Sequence, residues 1–416
     1  MTYDLRGYNS IKECRTCNSS KLIEVLDLGL QPLANELKEY LPVKSEIKYP
    51  LVLVGCENCK QLQLSINVDP AIMFKTYSWT TGTSETSKKH CGDLVELIRQ
   101  KCNLTNEKIL EIGSNDGTLL KILRRQNSDI ELIGVDPANN LFLDSDEYDI
   151  SIYRDFFCEI FAENFVHTEH PIDIIIARNV LSHVPDLTDV LRGIKKITHK
   201  DSILIFEFHS AATILSELHF DSIYHEHTYY HTLNSFSILL KEIGFYLNDL
   251  VLSPISGGSN IIFASKNSSN QSASLKEGLY LENEIGIKNQ STWTLFANQS
   301  KRNIADNKSI LQSLISQESC AYGASARSST LLNATDASSA NLSGIADLNS
   351  LKWGKFSPGL HLPINQPEVV INPSIINIFI CAFNFEDEIV HNLKENIGWS
   401  GNIIVPLPNQ PRQYKI

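Results

Sequence analysis

Two C-x-x-C pairs, "CRTC" at Cys14 and Cys17 and "CENC" at Cys56 and Cys59, stand 38 residues apart and constrain how the first sixty residues fold. Each pair can offer two thiolates to one tetrahedral ion, and four thiolates close the shell of a structural Zn²⁺. Neither pair opens a helix within a β-α-β pattern, which favours zinc over a redox couple. The segment between them, with "LDLGLQPLAN" and the alternating "YPLVLVGC", reads as short strands and turns with too little core of their own. A zinc-binding domain is therefore expected over residues 1–75. Cys91, Cys102, Cys158, Cys320 and Cys381 are scattered and read as unpaired thiols.

With 416 residues, the chain is long enough for two or three domains. From Lys108 onward short apolar runs alternate with amphipathic segments: "KILEIG", "LLKILRR", "IELIGVD", "IDIIIA", "LTDVLRGIKKI" and "SILIFEF". That alternation predicts a parallel sheet covered by helices, an α/β domain over residues 76–266. Residues 267–316 lose strand character and read as a helical connector. A second α/β unit follows over 317–416, with "SCAYGAS", "PEVVI", "IINIFICA" and "GNIIVPL". No apolar run approaches the ~20 residues a bilayer span needs, and the N-terminus lacks the features of a secretory signal. A cytoplasmic monomer that does not engage membranes is expected. A net charge of -12 with no basic stripe excludes nucleic-acid binding as the main activity.

The first α/β unit opens with "ILEIGSNDGTLL". Glu111 ends a strand, the turn Gly113, Ser114, Asn115, Asp116, Gly117 follows, and a helix begins. Glycines let the backbone approach a ligand, while Asp136 in "IGVDP", followed by Pro137, is placed to bond ribose hydroxyls. Acidic Glu111 and Asp116 beside the turn would repel a pyrophosphate, so a phosphate-free nucleoside cofactor fits better. S-adenosylmethionine is such a molecule, and "EIGSNDG" resembles motif I of class I methyltransferases. Asn179 and His183, in "ARNVLSHVPDL", follow the carboxyl end of the next strand, the edge where open α/β sheets place ligands.

"DSIYHEHTYYH", residues 221 to 231, gathers His225, His227 and His231 around Glu226 with three tyrosines. His227 and His231 stand four apart, as metal ligands on one helical face would, but the segment lacks the H-E-x-x-H order of zinc hydrolases. A proton-transfer site is the competing reading. Near the C-terminus, "CAYGASARSS" sets Gly323, Ser325 and Arg327 at the start of a helix, an arrangement suited to a diphosphate, with Lys352 and Lys355 in "LKWGKFSPG" adding charge. The same turn admits a nicotinamide cofactor, although its second G-x-x-G is incomplete.

Collected over nearly the whole length, the paired C-x-x-C module, "EIGSNDGTLL", "GVDPANN", "NVLSHVPDL", "FDSIYHEHTYY", the "GGS" of Gly257 to Ser259, "YGASARSSTLLN" and "KWGKFSPGLHLPI" resemble the C-methyltransferases of nucleotide-linked ketosugars. That group includes the 3-C-methyltransferase of tetronitrose biosynthesis. The resemblance implies a zinc-stabilised N-terminal domain, a central Rossmann-like domain for S-adenosylmethionine, and a second Rossmann-like domain that helps hold the nucleotide sugar. It assigns the base to His227, with Tyr224 and Glu226 beside the sugar and His183 and Tyr77 completing the pocket. Methylation at C3 of a 4-keto sugar would then proceed through an enolate, in deoxysugar or surface-polysaccharide biosynthesis. Trp79, in place of a second tyrosine, and His209, in "FEFHS" in place of "E-V-P-Y", depart from the pattern and bear on the sugar pocket. O- or N-methylation of a sugar, an NAD(P)-dependent nucleotide-sugar oxidoreductase and a non-catalytic nucleotide-sugar scaffold remain the alternatives.

Overall fold

A computed structural model describes residues 7–41, 46–73, 81–102, 104–138, 148–166 and 170–416. In the N-terminal part β1 (Tyr8–Ser10), β2 (Leu22–Gln31), β3 (Tyr49–Cys56), β4 (Leu62–Leu64) and β5 (Ile66–Val68) are short antiparallel strands. Alternation along β3 turns Leu51 and Leu53 into a core that also contains Trp293 and the C-terminal strands. Glycine is required at position 55: a Cβ there would lie 2.4 Å from the Trp293 ring.

The central sheet has seven strands, β6 (Lys108–Ile112), β7 (Glu131–Val135), β8 (Ser151–Tyr153), β9 (Ile172–Arg178), β10 (Thr198–His209), β12 (Tyr246–Ser253) and β13 (Ser259–Ser265). Their spatial order is β12-β13-β10-β9-β6-β7-β8, with β13 antiparallel to both neighbours and the remaining pairs parallel. Order reverses at β6, so the crevice at the carboxyl ends of β6 and β9 is the place for a ligand. Period-two alternation sends Ile109, Leu132 and Ile174 to a core with helices Glu85–Lys101 and Thr118–Gln126. Leu110, Ile133 and Ile175 face the opposite core, against helices Glu159–Val166, Leu187–Ile197 and Leu233–Glu242.

One short strand, β11 (Tyr229–Tyr230), leaves the central unit and pairs antiparallel with β4, completing a four-stranded sheet in the order β11-β4-β3-β2. Helices Ala273–Glu284 and Gln290–Ser313 lead to the last unit. There β14 (Ser319–Tyr322), β15 (Ile345–Ala346), β16 (Ile364–Asn365), β17 (Asn377–Ile380), β18 (Asn402–Val405) and β19 (Arg412–Lys415) take the order β16-β15-β14-β17-β18-β19. All pairs are parallel except β18 with β19. Among the described residues no helix is long and apolar enough to cross a membrane.

Candidate active site

Cys14, Cys17, Cys56 and Cys59 converge from the two knuckles, all four sulfurs lying within 4.8 Å of one another. Cys14 and Cys59 are 3.4 Å apart, and Cys17 and Cys56 3.6 Å. A Zn–S length of ~2.3 Å sets tetrahedral edges of about 3.8 Å, so the quartet fits zinc. Between the first two ligands, Arg15 is half-buried and donates through Nη1 to the Leu64 carbonyl at 2.6 Å and through Nη2 to Ile66 O at 3.0 Å and Asn67 Oδ1 at 2.6 Å. The guanidinium also lies 5.6 Å from the Tyr229 ring centroid. Gln61 donates to the Tyr230 carbonyl at 2.8 Å and accepts at 3.3 Å from His231. Thus the metal module holds the strand that ends the histidine segment.

At the carboxyl end of β6, Gly113 and Gly117 both take φ +69° and Asn115 +52°. A Cβ on Gly113 would lie 2.9 Å from Val180, so main chain and the neighbouring turn meet here as only glycine permits. Asp136 accepts from Asn115 N at 2.8 Å and from Ala138 N at 2.9 Å, with Pro137 between. Asn115 and Asp116 accept in turn from the backbone of Thr81 and Gly82, at 3.0 and 2.7 Å, drawing that segment over the turn. Ser114 is buried with its hydroxyl unpartnered among the described residues.

Glu111 is fully buried. Arg178 donates to one of its oxygens at 2.8 and 3.0 Å, and the other has no partner among the described residues. Burial pushes this carboxyl up to about 7, with Arg178 pulling in the opposite direction. Glu207 is likewise buried, bonded to His90 at 2.6 Å through one oxygen and unpartnered at the other. Carboxylate oxygens with free lone pairs and left-handed turn residues suit S-adenosylmethionine, whose ammonium and sulfonium are cationic. A pyrophosphate would meet repulsion.

Asn179 leaves β9 with φ +52° and donates its N–H to Glu207 O at 2.7 Å. This turn brings His183 under the histidine segment: its Nδ1 bonds Glu226 O at 2.9 Å and its ring centre lies 4.7 Å from that of His227. Thr228 is stapled to Ser182 O through both N–H and hydroxyl, at 2.7 and 3.0 Å. The Ser222 backbone favours the charged form of the His227 ring, whose Nε2 faces Tyr224. On that nitrogen sits the Tyr224 hydroxyl at 2.6 Å. Burial first, then His183, holds His227 well below the usual histidine range. It is neutral at physiological pH.

Glu226 accepts from Asn35 Nδ2 at 2.6 Å, and burial raises it to about 7. It lines a pocket of about 110 Å³ together with Leu33, Asn35, Glu36, Met73 and Lys355. His225 turns away to Pro50 O at 3.2 Å and Tyr49, and His231 stacks on Tyr229 at 5.4 Å. The segment therefore splits, with Tyr224, Glu226 and His227 toward the cleft and the other two histidines toward the zinc module. Tyr77 and Trp79 lie outside the described residues. Among the described residues, the cysteine quartet is the group of His, Cys, Asp and Glu side chains arranged to hold an ion.

In the C-terminal unit Gly323 takes φ +98°, and a Cβ would lie 2.7 Å from Ala382. Several helix-start donors are occupied within the chain: Ala324 N by Asp347, Ser325 N by Ser328 and Ser328 N by Ser325. Arg327 forms a two-point pair with fully buried Asp221, at 2.7 and 3.0 Å, and donates to Ser256 O at 2.6 Å. Lys352 is bonded to Asp347 and Ala324 O, at 3.1 and 3.0 Å. Of the three cations Arg327, Lys352 and Lys355, the last has no partner among the described residues, and it faces the pocket of Glu226. Asp347 accepts from Ala324 N and Lys352 Nζ, at 2.7 and 3.1 Å.

Arg178, Asn35, Asp221 and Arg15 were not read from the sequence as parts of the site. The one local signal was Arg178, a cation ending the apolar strand "IDIIIAR".

Fold and site define a methyltransferase that uses S-adenosylmethionine and carries a zinc-binding N-terminal module. Three family models match in succession: "Putative zinc binding domain" over residues 14–74, "Methyltransferase domain" over 84–250, and "C-methyltransferase C-terminal domain" over 254–408. The chain is 28% identical over 410 residues to C-methyltransferase NovU of Streptomyces niveus, covering 97% of this chain and 96% of that protein. The chain is a methyltransferase dependent on S-adenosylmethionine, similar over nearly its whole length to a C-methyltransferase. A second relative, the ubiquinone biosynthesis O-methyltransferase of Actinobacillus pleuropneumoniae serotype 5b (strain L20), is 29% identical over 118 residues, 27% of this chain and 50% of its own. Among solved structures, magnesium protoporphyrin IX methyltransferase ChlM of Synechocystis PCC 6803 with bound SAM matches 43% of this chain and 79% of its own, at 14% identity and TM-score 0.33.

Proposed function

We propose that the acceptor is a nucleotide-linked ketosugar, methylated at the carbon next to its carbonyl, C3 of a 4-keto sugar. The observation that carries this reading is the 2.6 Å bond between Tyr224 Oη and His227 Nε2 in a buried site beside Glu226 and His183. A sugar carbon becomes a nucleophile only when a neighbouring carbonyl acidifies its proton, and a neutral imidazole nitrogen can accept that proton. His227 Nε2 takes the proton from carbon, and the Tyr224 hydroxyl, released as the sugar enters, donates a hydrogen bond to the enolate oxygen. Glu226, held by Asn35, accepts from a sugar hydroxyl, and His183 keeps the His227 ring in place. When bound, S-adenosylmethionine supplies an electrophilic methyl on its sulfonium, and the turn from Gly113 to Gly117 with Asp136 holds it against the carbon. Lys355 meets a nucleotide phosphate. The supporting likeness to C-methyltransferase NovU spans the chain.

The test is incubation with labelled S-adenosylmethionine and a panel of 3-keto and 4-keto nucleotide sugars. Label on a sugar carbon, and solvent deuterium incorporated at that carbon without methyl donor, are expected. Label on oxygen or nitrogen would overturn the reading.

A further inference from the structure

His209, at the carboxyl end of β10, is a buried imidazole that the reaction above leaves without a role. Its ring is 8% exposed, on the ligand-binding edge of the sheet. Nε2 lies 3.4 Å from Nδ1 of His219. The other nitrogen of His219, Nε2, is enclosed without a hydrogen-bond partner, and 3.6 Å from it lies a carboxylate oxygen of Glu217.

Tautomers follow from such neighbours. An N–H facing a carboxylate is attracted and a lone pair is repelled, so His219 carries its hydrogen on Nε2. Its Nδ1 is then an acceptor, and His209 must supply the hydrogen of the 3.4 Å contact from Nε2. That leaves His209 Nδ1 as a bare acceptor with no partner among the described residues. The arrangement is held mechanically. Gly257, at φ +82°, presses on His219, where a Cβ would come within 3.0 Å of Cε1, and Phe383 packs 5.3 Å from the same ring. Burial foremost, then Arg327, keeps both histidines neutral. Ala211, two residues further on, donates its N–H to His231 O at 3.0 Å, so the end of β10 lies against the histidine segment.

We propose that His209 reads the acceptor: its Nδ1 takes a hydrogen bond from a ring hydroxyl of the sugar, with Glu217 and His219 fixing the tautomer. The sugar part rests on the ketosugar reading above. An acceptor-only nitrogen favours a hydroxyl or amino group at that point and disfavours a ketone or phosphate oxygen. Glu217 and His219 are positioning residues.

Two measurements test this. Long-range ¹H–¹⁵N spectra of the histidine-labelled holoenzyme, with His209→Gln identifying the signals that vanish, should show hydrogen on Nε2 and a bare Nδ1. Hydrogen on Nδ1 would overturn the assignment without any substrate. The second compares a nucleotide-linked 4-keto-6-deoxyhexose with counterparts each lacking one ring hydroxyl. One missing hydroxyl should raise the wild-type KM at least tenfold, and His209→Phe should erase that difference. His209→Gln, which retains an acceptor, should restore part of it. Discrimination unchanged in His209→Phe, or equal loss of kcat for every sugar, would refute the reading role. A wild type that methylates none of these sugars while Nδ1 is bare would overturn the ketosugar reading and with it the sugar as partner.

Discussion

Replacing Glu226 by glutamine removes a charge from a buried position while preserving shape and an oxygen able to accept from Asn35. The carboxyl's ordinary value of 4.5 rises to about 7, with burial the main cause. At about 1.4 kcal/mol per tenfold change in proton affinity, that displacement corresponds to about 3 kcal/mol. For an acid raised on folding, the sign is fixed. Below pH 4.5 the group is protonated in folded and unfolded chains and costs nothing; as pH climbs through about 7 the folded protein must hold a buried carboxylate, and stability falls. Glu226→Gln should therefore become more stable relative to wild type by about 2.5 kcal/mol between pH 5 and pH 8.5, while turnover declines. Glu111, raised for the same reason, is present in both proteins and cancels in the comparison. Denaturant unfolding of both zinc-loaded proteins at the two pH values gives the number. An equal stability difference at both would refute the reasoning, because it would mean that Glu226 is not forced to ionise in an apolar setting.

His227→Gln should lower kcat by about 10²–10⁴ with S-adenosylmethionine affinity unchanged by calorimetry; full activity in a clean preparation would remove the base assignment. Arg178→Met leaves Glu111 buried without its partner and should destabilise the central domain by about 3–5 kcal/mol in urea unfolding, most severely at alkaline pH; a loss under 1 kcal/mol would show that the pair is not buried as described. Metal analysis should find one zinc per chain, lost in Cys14→Ser. That variant should also lose deuterium exchange at the sugar carbon while still binding the methyl donor, since Arg15 and Gln61 hold the Tyr229–Tyr230 strand.

Features encoded within a few residues were legible in the sequence. Two cysteines in each knuckle announce a metal because ligand spacing is local, and the run of short apolar segments from Lys108 announces a helix-covered sheet because its periodicity is local. The reversed β13 and the excursion of β11 were not legible, since strand pairing is settled between distant segments: Tyr230 pairs with Leu62. The same division runs through the site. Tyr224 and His227 stand three apart and were read together. Asn35 reaches Glu226 across 191 residues, and Arg178 reaches Glu111 across 67. Arg327 is the instructive case. A cation beside a glycine turn reads alike whether its partner is a diphosphate or a buried aspartate 106 residues away, and the structure engages it with Asp221.

The Tyr229–Tyr230 strand makes residues 14–73 and 221–231 a single structural unit, although the chain separates them. Pairing of Leu62 and Gln63 with the two tyrosines, and the bonds from Gln61, bind their side chains to one another's geometry. A chimera that exchanges the zinc module between relatives should keep the proposed base in position only if the histidine segment travels with it. During synthesis, the module's sheet gains its last strand only after residue 230 has left the ribosome.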